Sequence, residues 1–572
     1  MMKKKKMKFD SGQLPKYLIY AFFVWFILSC LVIPNINTIF TVFFENGEFT
    51  LEPLQKLLSS EKAMKSLRNS CILAPALSVT VGFVGISLVL ITEYFDIRGA
   101  RMLRIGYMTT LIYGGIILVS GYKFIYGNNG FLTNIFAKVI PNFPTDWFQG
   151  FWAVLFVMTF ACTSNHMIFL RNAMRAVDFQ TVEAAQNMGA SQIRILLRVV
   201  LPVLTPSLLA VTILTFITGL SATSAPLLIG GNDFQTITPM ILTFSKTVNS
   251  RPLAALLALF LGIATILLLT VMMKIEKRGH YMSISKVKTT IRKQKIRNPI
   301  INVLVHIYAY ILFLIYVLPV VLIVLFSFTD AKTIATRKLS LSAFTLDNYK
   351  TILTEASAYR PFIVSVIYSL LSAVAVAILV LMACRIIQKN KNKASAALEY
   401  GLLIPWLLPT TLIAIGLITT YNTPRFWMFN KILTGTSVIM FIGYVIIKIP
   451  FTLRMTKAAF FSLDDSLEDA ARSLGAKGFY TFRRVILPIV LPTVLAIFAL
   501  NFNGLLGDYD MSVFMYHPLN QPLGVYIKSL TDAQTNADNS ALSFVYAVLM
   551  MIISGTVVYF VYGRGDKTKV KK

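Results

Sequence analysis

A short pattern occurs twice in this chain of 572 residues. Glu183-Ala184-Ala185 with Gly189 and Leu201-Pro202 is echoed by Asp469-Ala470-Ala471 with Gly475 and Leu487-Pro488. The spacing is constant (475 − 189 = 286 and 488 − 202 = 286), and the chain is twice that long. The fold therefore has to accommodate two tandem copies of one unit, and each copy tests any interpretation of the other.

The unit is a membrane unit. Apolar residues make up 56% of the chain and charged residues 14%, with a mean hydropathy of +0.69; soluble chains carry about 25% charged residues. A bilayer core takes about 20 apolar residues per helix. That measure predicts twelve spans, at 17–34, 70–92, 105–121, 150–170, 199–228 and 252–273, then 298–328, 361–384, 394–418, 435–453, 485–506 and 541–562. The four cysteines, Cys30, Cys71, Cys162 and Cys384, lie scattered in apolar stretches and suggest neither a disulfide framework nor a zinc site.

A net charge of +29 could point to nucleic acid. Sorted over the predicted loops, however, Lys and Arg number 37 on the side holding both termini and 16 on the other. The positive-inside rule makes the first side cytoplasmic. The basic excess is then accounted for by topology and attraction to anionic lipid, with no nucleic-acid partner needed. Lys3 to Lys6 followed by an apolar run ending Ile27-Leu28-Ser29-Cys30 imitates a lipoprotein signal peptide. The counterpart of that run in the second copy, near 303–320, is internal, so a retained anchor helix is expected. The predicted units are 1–273, a basic cytoplasmic linker at 274–299, and 300–572. Even span numbers give both halves the same orientation, related by a pseudo-two-fold axis along the membrane normal with a pathway between them.

The repeated pattern falls in the loop between the fourth and fifth spans of each half, at 171–198 and 454–484. Residues Val182 to Met188 are good helix formers, and Gly189 sits where a left-handed cap would end the helix. Asp465-Ser466-Leu467-Glu468 has the form of a capping box, and Gly475 ends that helix too. Ala184, Ala185 and Met188, like Ala470, Ala471 and Leu474, are expected on one face. Pro202 and Pro488 then fix where the fifth helix of each half starts, with Arg198 and Arg484 at equivalent points at the membrane edge.

Glu183-Ala184-Ala185 with Gly189 and, more closely, Glu468-Asp469-Ala470-Ala471-Arg472-Ser473-Leu474-Gly475-Ala476 resemble the signature loop of the membrane subunits of type I ATP-binding-cassette importers. Gln186-Asn187-Met188 and Asp469 are the departures from the usual pattern. Nearly the whole chain fits, and a fused double permease is most similar to the ferric-iron importer branch. That branch has relatives for phosphonates, sugar phosphates, polyamines and thiamine. The resemblance implies an all-α membrane protein of twelve helices in two six-helix permease halves. Its loops would be coupling helices docking on two copies of a separate ATPase, which binds ATP-Mg, while an external binding protein delivers the solute. It implies no catalysis in this chain, and no cofactor or metal site is expected there. Consistently, the sequence contains no Gly-x-x-x-x-Gly-Lys-Ser/Thr loop to cradle a nucleotide phosphate.

Few ionisable residues lie inside spans, among them His166, Lys448 and Glu399. His166 is read either as pore lining or as an interhelical hydrogen-bonding group, and Lys448 as a residue that snorkels. Asp508, Tyr509 and Asp510 end the eleventh span, whereas their register partners Ala222, Thr223 and Ser224 carry no charge. These oxygen donors, with His517, would suit a trivalent cation; the alternative is ordinary solvated loop acids near a docked binding protein. An ion-coupled carrier of twelve spans is the competing class, but such carriers usually show paired intramembrane acids, which are scarce here. A membrane enzyme lacks a supporting His/Asp/Glu cluster.

Overall fold

In the computed structural model the described residues are 14–563, apart from 46, 129, 175–176, 279–292, 337–340, 391, 462, 464–465 and 533–536. The chain is helical almost throughout. The first half runs α1 (Tyr17–Phe43), α2 (Glu61–Tyr94), α3 (Ala100–Leu111), α4 (Gly115–Val139), α5 (Gly150–Arg171), α6 (Phe179–Asn187), α7 (Gln192–Leu220), α8 (Ile237–Ser245) and α9 (Arg251–Val271). The second runs α10 (Pro299–Ser327), α11 (Ala356–Lys389), α12 (Lys393–Leu407), α13 (Thr410–Tyr421), α14 (Ser437–Phe461), α15 (Ser466–Ser473), α16 (Gly478–Leu506), α17 (Leu523–Asp532) and α18 (Ala537–Val558). Among the described residues ten helices are long and apolar enough to cross a bilayer, and the number is twelve when each of two bent pairs is taken as one span.

Those pairs are the third and ninth predicted spans, which are broken rather than straight. α3 and α4 meet at 114°, α12 and α13 at 105°. Gly114 and Gly115 cause the first break: Gly115 has φ +57, a left-handed conformation that continues no helix. The second falls between Pro405 and Pro409, where missing N–H groups and ring clashes interrupt the ladder.

From the fifth span onward the duplication is visible in the backbone. α7 and α16 begin and end at the same register, since 478 − 192 = 286 and 506 − 220 = 286. The short helices α8 and α17 also start 286 residues apart (523 − 237 = 286).

The first helix of each half packs on the opposite half. Phe23, Phe26, Cys30 and Leu31 of α1 are buried in one core with residues of α11 to α14. Trp25 donates its indole N–H to Trp427 O at 2.9 Å, and Asn37 reaches Thr420 at 3.1 Å. Reciprocally, Ala309, Leu312 and Tyr316 of α10 lie in the first-half core. Tyr107 donates to Ala309 O at 2.7 Å, and Gly106 lets Phe313 so close that a Cβ there would sit 2.3 Å from its ring. With apolar outer faces on α2, α10 and α11 turned away from these cores, the bundle is built for a lipid solvent.

Candidate functional site

The repeated pattern folds into the same local unit twice. Asp178 caps α6 by accepting from Gln180 N–H at 3.1 Å. At the far end Ala190 N–H reaches Ala185 O at 3.0 Å, and Gly189 (φ +78) donates to Gln186 O at 2.9 Å. On α15 the matching bonds are Ala476 to Ala471 O at 3.0 Å and Gly475 (φ +82) to Arg472 O at 2.9 Å. Both ends are Schellman closures. A Cβ at either glycine would meet nothing within 4 Å, so left-handed backbone rather than crowding demands glycine.

Each unit continues into a π-helical turn, Leu196–Val200 and Phe482–Ile486. The cause is the proline. Pro202 and Pro488 have no N–H to offer the carbonyls of Arg198 and Arg484 four residues back. The helix widens by one residue, and Leu201 and Leu487 donate to Leu196 O and Phe482 O instead. Arg198, Arg484 and both prolines are exposed at this point.

Outward from the bundle stand Glu183, Ala184 and Met188 on α6, and Asp469, Ala470 and Leu474 on the second unit. Ala185 and Ala471 turn inward, so the expected single small-residue face is divided between packing and presentation. Ile193 extends the first exposed surface, and Phe479 and Tyr480 the second. Large apolar side chains projecting amid polar ones mark an interaction surface.

The two units are anchored differently. Val182 is fully buried beneath α6. Gln186 donates to the Gln294 side chain at 2.7 Å and Gln192 to Lys295 O at 2.7 Å, while Gln294 pairs through its backbone with Tyr94 O at 2.8 Å and Asp96 N–H at 2.9 Å. The end of the basic linker thus holds the first unit; its residues 279–292 lie outside the described ones. Beneath α15, at the register position of Val182, stands Glu468, whose carboxylate pairs with Arg385 of α11, with Arg472 at 3.5 Å. The Arg385 hydrogen bond holds the Glu468 carboxyl below the usual carboxylate range. The expected capping box involves Asp465, which lies outside the described residues; among the described ones Glu468 pairs with Arg385.

Among the intramembrane groups, Glu399 pairs with Lys457. Lys448 does not snorkel: it lies mid-helix on α14, its ammonium close to Gly504 and facing Asp508. His166 is fully buried, its Cβ 2.7 Å from where a Cβ on Gly85 would stand, and its ring nitrogens form no interhelical hydrogen bond.

Asp508, Tyr509 and Asp510 line a cavity of about 280 Å³ where the two register-related loops meet. Asp510 lies beside Thr223, and Ser224 joins the wall. Asp508 Oδ2 accepts from Met511 and Ser512 N–H at 3.2 and 3.0 Å, with the Tyr444 hydroxyl alongside. The opposite wall comes from the α3–α4 break and from Asn503, which accepts from Ser554 of α18 at 2.5 Å. Asn503 comes from α16, the helix that Asp508 follows, whereas nothing in the sequence linked Thr110 or Tyr113 to this place, because the α3–α4 break brings them there. A larger hollow of about 690 Å³ between α2 and α5, lined by Phe83, Trp152 and Phe156, is apolar and offers no charged group. His517 is not among the cavity's lining residues.

Binding-protein-dependent transport system inner membrane components match residues 22–278 and again 380–569. The chain is 38% identical over 540 residues to the probable ABC transporter permease protein y4fN of Sinorhizobium fredii, covering 93% of this chain and 94% of that one. It is 20% identical to the ferric transport system permease protein FbpB of Actinobacillus pleuropneumoniae over 99% of this chain and 80% of that one. A probable sulfate transport system permease protein, cysT of Prototheca wickerhamii, is 30% identical over 29% of this chain and 65% of its own. With the family matched in both halves and helix units repeated in register, the chain belongs to the binding-protein-dependent inner membrane transport components, as an ABC importer permease with two permease units fused in one polypeptide.

Proposed function

We propose that α6 and α15 are coupling helices, each docking on one of two copies of a cytoplasmic ATPase that binds ATP-Mg. In this reading Glu183, Ala184, Gly189, Asp469, Ala470 and Gly475 form or shape the docking surfaces. Ala185, Ala471 and Glu468 hold them to the bundle, and Arg198, Pro202, Arg484 and Pro488 set the joint to the following helix. The halves 1–273 and 300–572, joined by the linker 274–299, rock against each other, and an external binding protein delivers the solute. Both termini and both units face the cytoplasm of a bacterial cell whose inner membrane holds the protein. The observation that carries the reading is one outward-facing helix, glycine closure and proline-widened turn built twice at a 286-residue interval.

The double substitution Glu183→Lys with Asp469→Lys tests it. Both carboxylates are exposed, so the bundle should fold while ATP hydrolysis separates from uptake. Normal substrate-stimulated hydrolysis in that variant would sink the coupling assignment.

For the solute, ferric iron or a ferric complex is favoured by the ferric permease among the relatives. An organic cation, such as a polyamine or thiamine, is the second reading. It is favoured by the chemistry of the cavity at Asp508 and Asp510, and measuring which ligand the cognate binding protein holds decides between them.

A further inference from the structure

We infer that the cavity between the two register-related loops is a binding site for the primary ammonium group of a solute. The inference rests on the importer reading and takes its second solute reading, the organic cation, over the ferric one. Charge is the first argument. Asp508 is already engaged by two backbone N–H groups and faces Lys448. Asp510 has the Thr223 hydroxyl beside it, and no ion pair to a described Lys or Arg. Asp510 is exposed to the cavity, so its negative charge is open to a cation arriving from outside.

Helix ends supply the second argument. The C-terminal ends of α3 and α16 lie at the wall, at Leu111 and Gly507. Terminal carbonyls lack intrahelical donors and carry the negative end of the helix dipole, so these two ends favour positive charge, against the single N-terminal end of α4 at Gly115 in the same wall.

Unsatisfied hydroxyls supply the third. Thr110 and Tyr113 are 7% and 3% exposed, line the cavity, and their oxygens have no hydrogen-bond partner. Buried polar atoms are normally paired, so two orphans in one wall indicate a missing partner. An ammonium offers three donors and no acceptor. It suits a site built from one free carboxylate, exposed carbonyls and hydroxyls.

Other ions fit less well. Ferric ion asks for several hard anionic ligands, and no group of three His, Cys, Asp or Glu able to hold a metal occurs among the described residues. Sulfate or a phosphonate would require Arg or Lys, and the lining has neither. The volume is that of about nine waters, enough for a small amine.

The test is equilibrium binding to the full chain in lipid nanodiscs, without ATPase, using 1,4-diaminobutane, ferric citrate and inorganic phosphate as probes. The diamine should bind saturably and the other two should not. Asp510→Asn should weaken the diamine at least tenfold, while Asp510→Glu should stay within about threefold of the parent. Absence of saturable diamine binding, insensitivity to Asp510→Asn, or saturable ferric citrate binding lost in that variant would each overturn the inference. Because no ATPase is present, these outcomes leave the coupling-helix reading to its own experiment.

Discussion

α6 and α15 present the same outer surface and are held down by different chemistry. Beneath α6 lie a buried valine and a set of amide hydrogen bonds to the end of the linker; beneath α15 lies an arginine–carboxylate pair. The glycine closure, the π turn and the proline recur at the same interval in both. The difference teaches that the unit is specified by its backbone. Its anchorage can be met by any interaction that fixes the helix against the bundle.

The sharpest way to break this comparison is Arg385→Ala. It leaves Glu468 largely buried without its bidentate partner and should ease local opening of α15 by about 2 kcal/mol. Hydrogen exchange should speed up more than tenfold across 466–473 and stay unchanged across 179–187; equal changes in both would show that the units are anchored as one. The same pair sets a pH dependence. Because the folded Glu468 carboxyl titrates below its unfolded value, the stabilisation is complete above about pH 4.3. It is lost as pH falls through the depressed folded value. Exchange in α15, corrected for intrinsic rates, should therefore accelerate in acid while that in α6 does not.

Next in size, Gly189→Ala and Gly475→Ala should each cost about 1 kcal/mol, since both force a side chain into left-handed backbone with no steric clash added. Equal losses of helix protection would confirm that the closures are equivalent; a difference of more than about twofold in exchange rate would show that they are not. The smallest effect expected is Gln186→Ala with Gln192→Ala, about 0.5–1 kcal/mol at α6 alone. If it matched the Arg385→Ala effect, the linker end would be a stronger clamp than amide hydrogen bonds allow.

What could be read in the sequence follows the same division. Gly189, Gly475, Pro202 and Pro488 impose backbone geometry by themselves, so their spacing revealed the unit before any fold was known. Glu468 was legible as a helix-capping residue, but its pairing with Arg385, 83 positions away, was not; no local rule reaches that far. Gln294 is placed by backbone pairing with Tyr94 and Asp96, which leaves no compositional trace. The spans at 105–121 and 394–418 are apolar enough to cross a membrane, and hydropathy does not register a bend at Gly115 or Pro409. Asp508 and Asp510 were visible as an asymmetry between halves, whereas Thr110 and Tyr113 became part of the cavity only through the α3–α4 break.

The exchanged first helices bear on how the protein is made. Trp25 finds its partner Trp427 402 residues later. At about 5–20 residues per second of synthesis, α1 waits roughly 20–80 s in the bilayer before the surface it packs against has been translated. During that interval lipid tails cover Phe23, Phe26 and Leu31, at little cost because acyl chains are as apolar as the eventual core. Tethering both halves in one polypeptide keeps that late partner from having to arrive by diffusion.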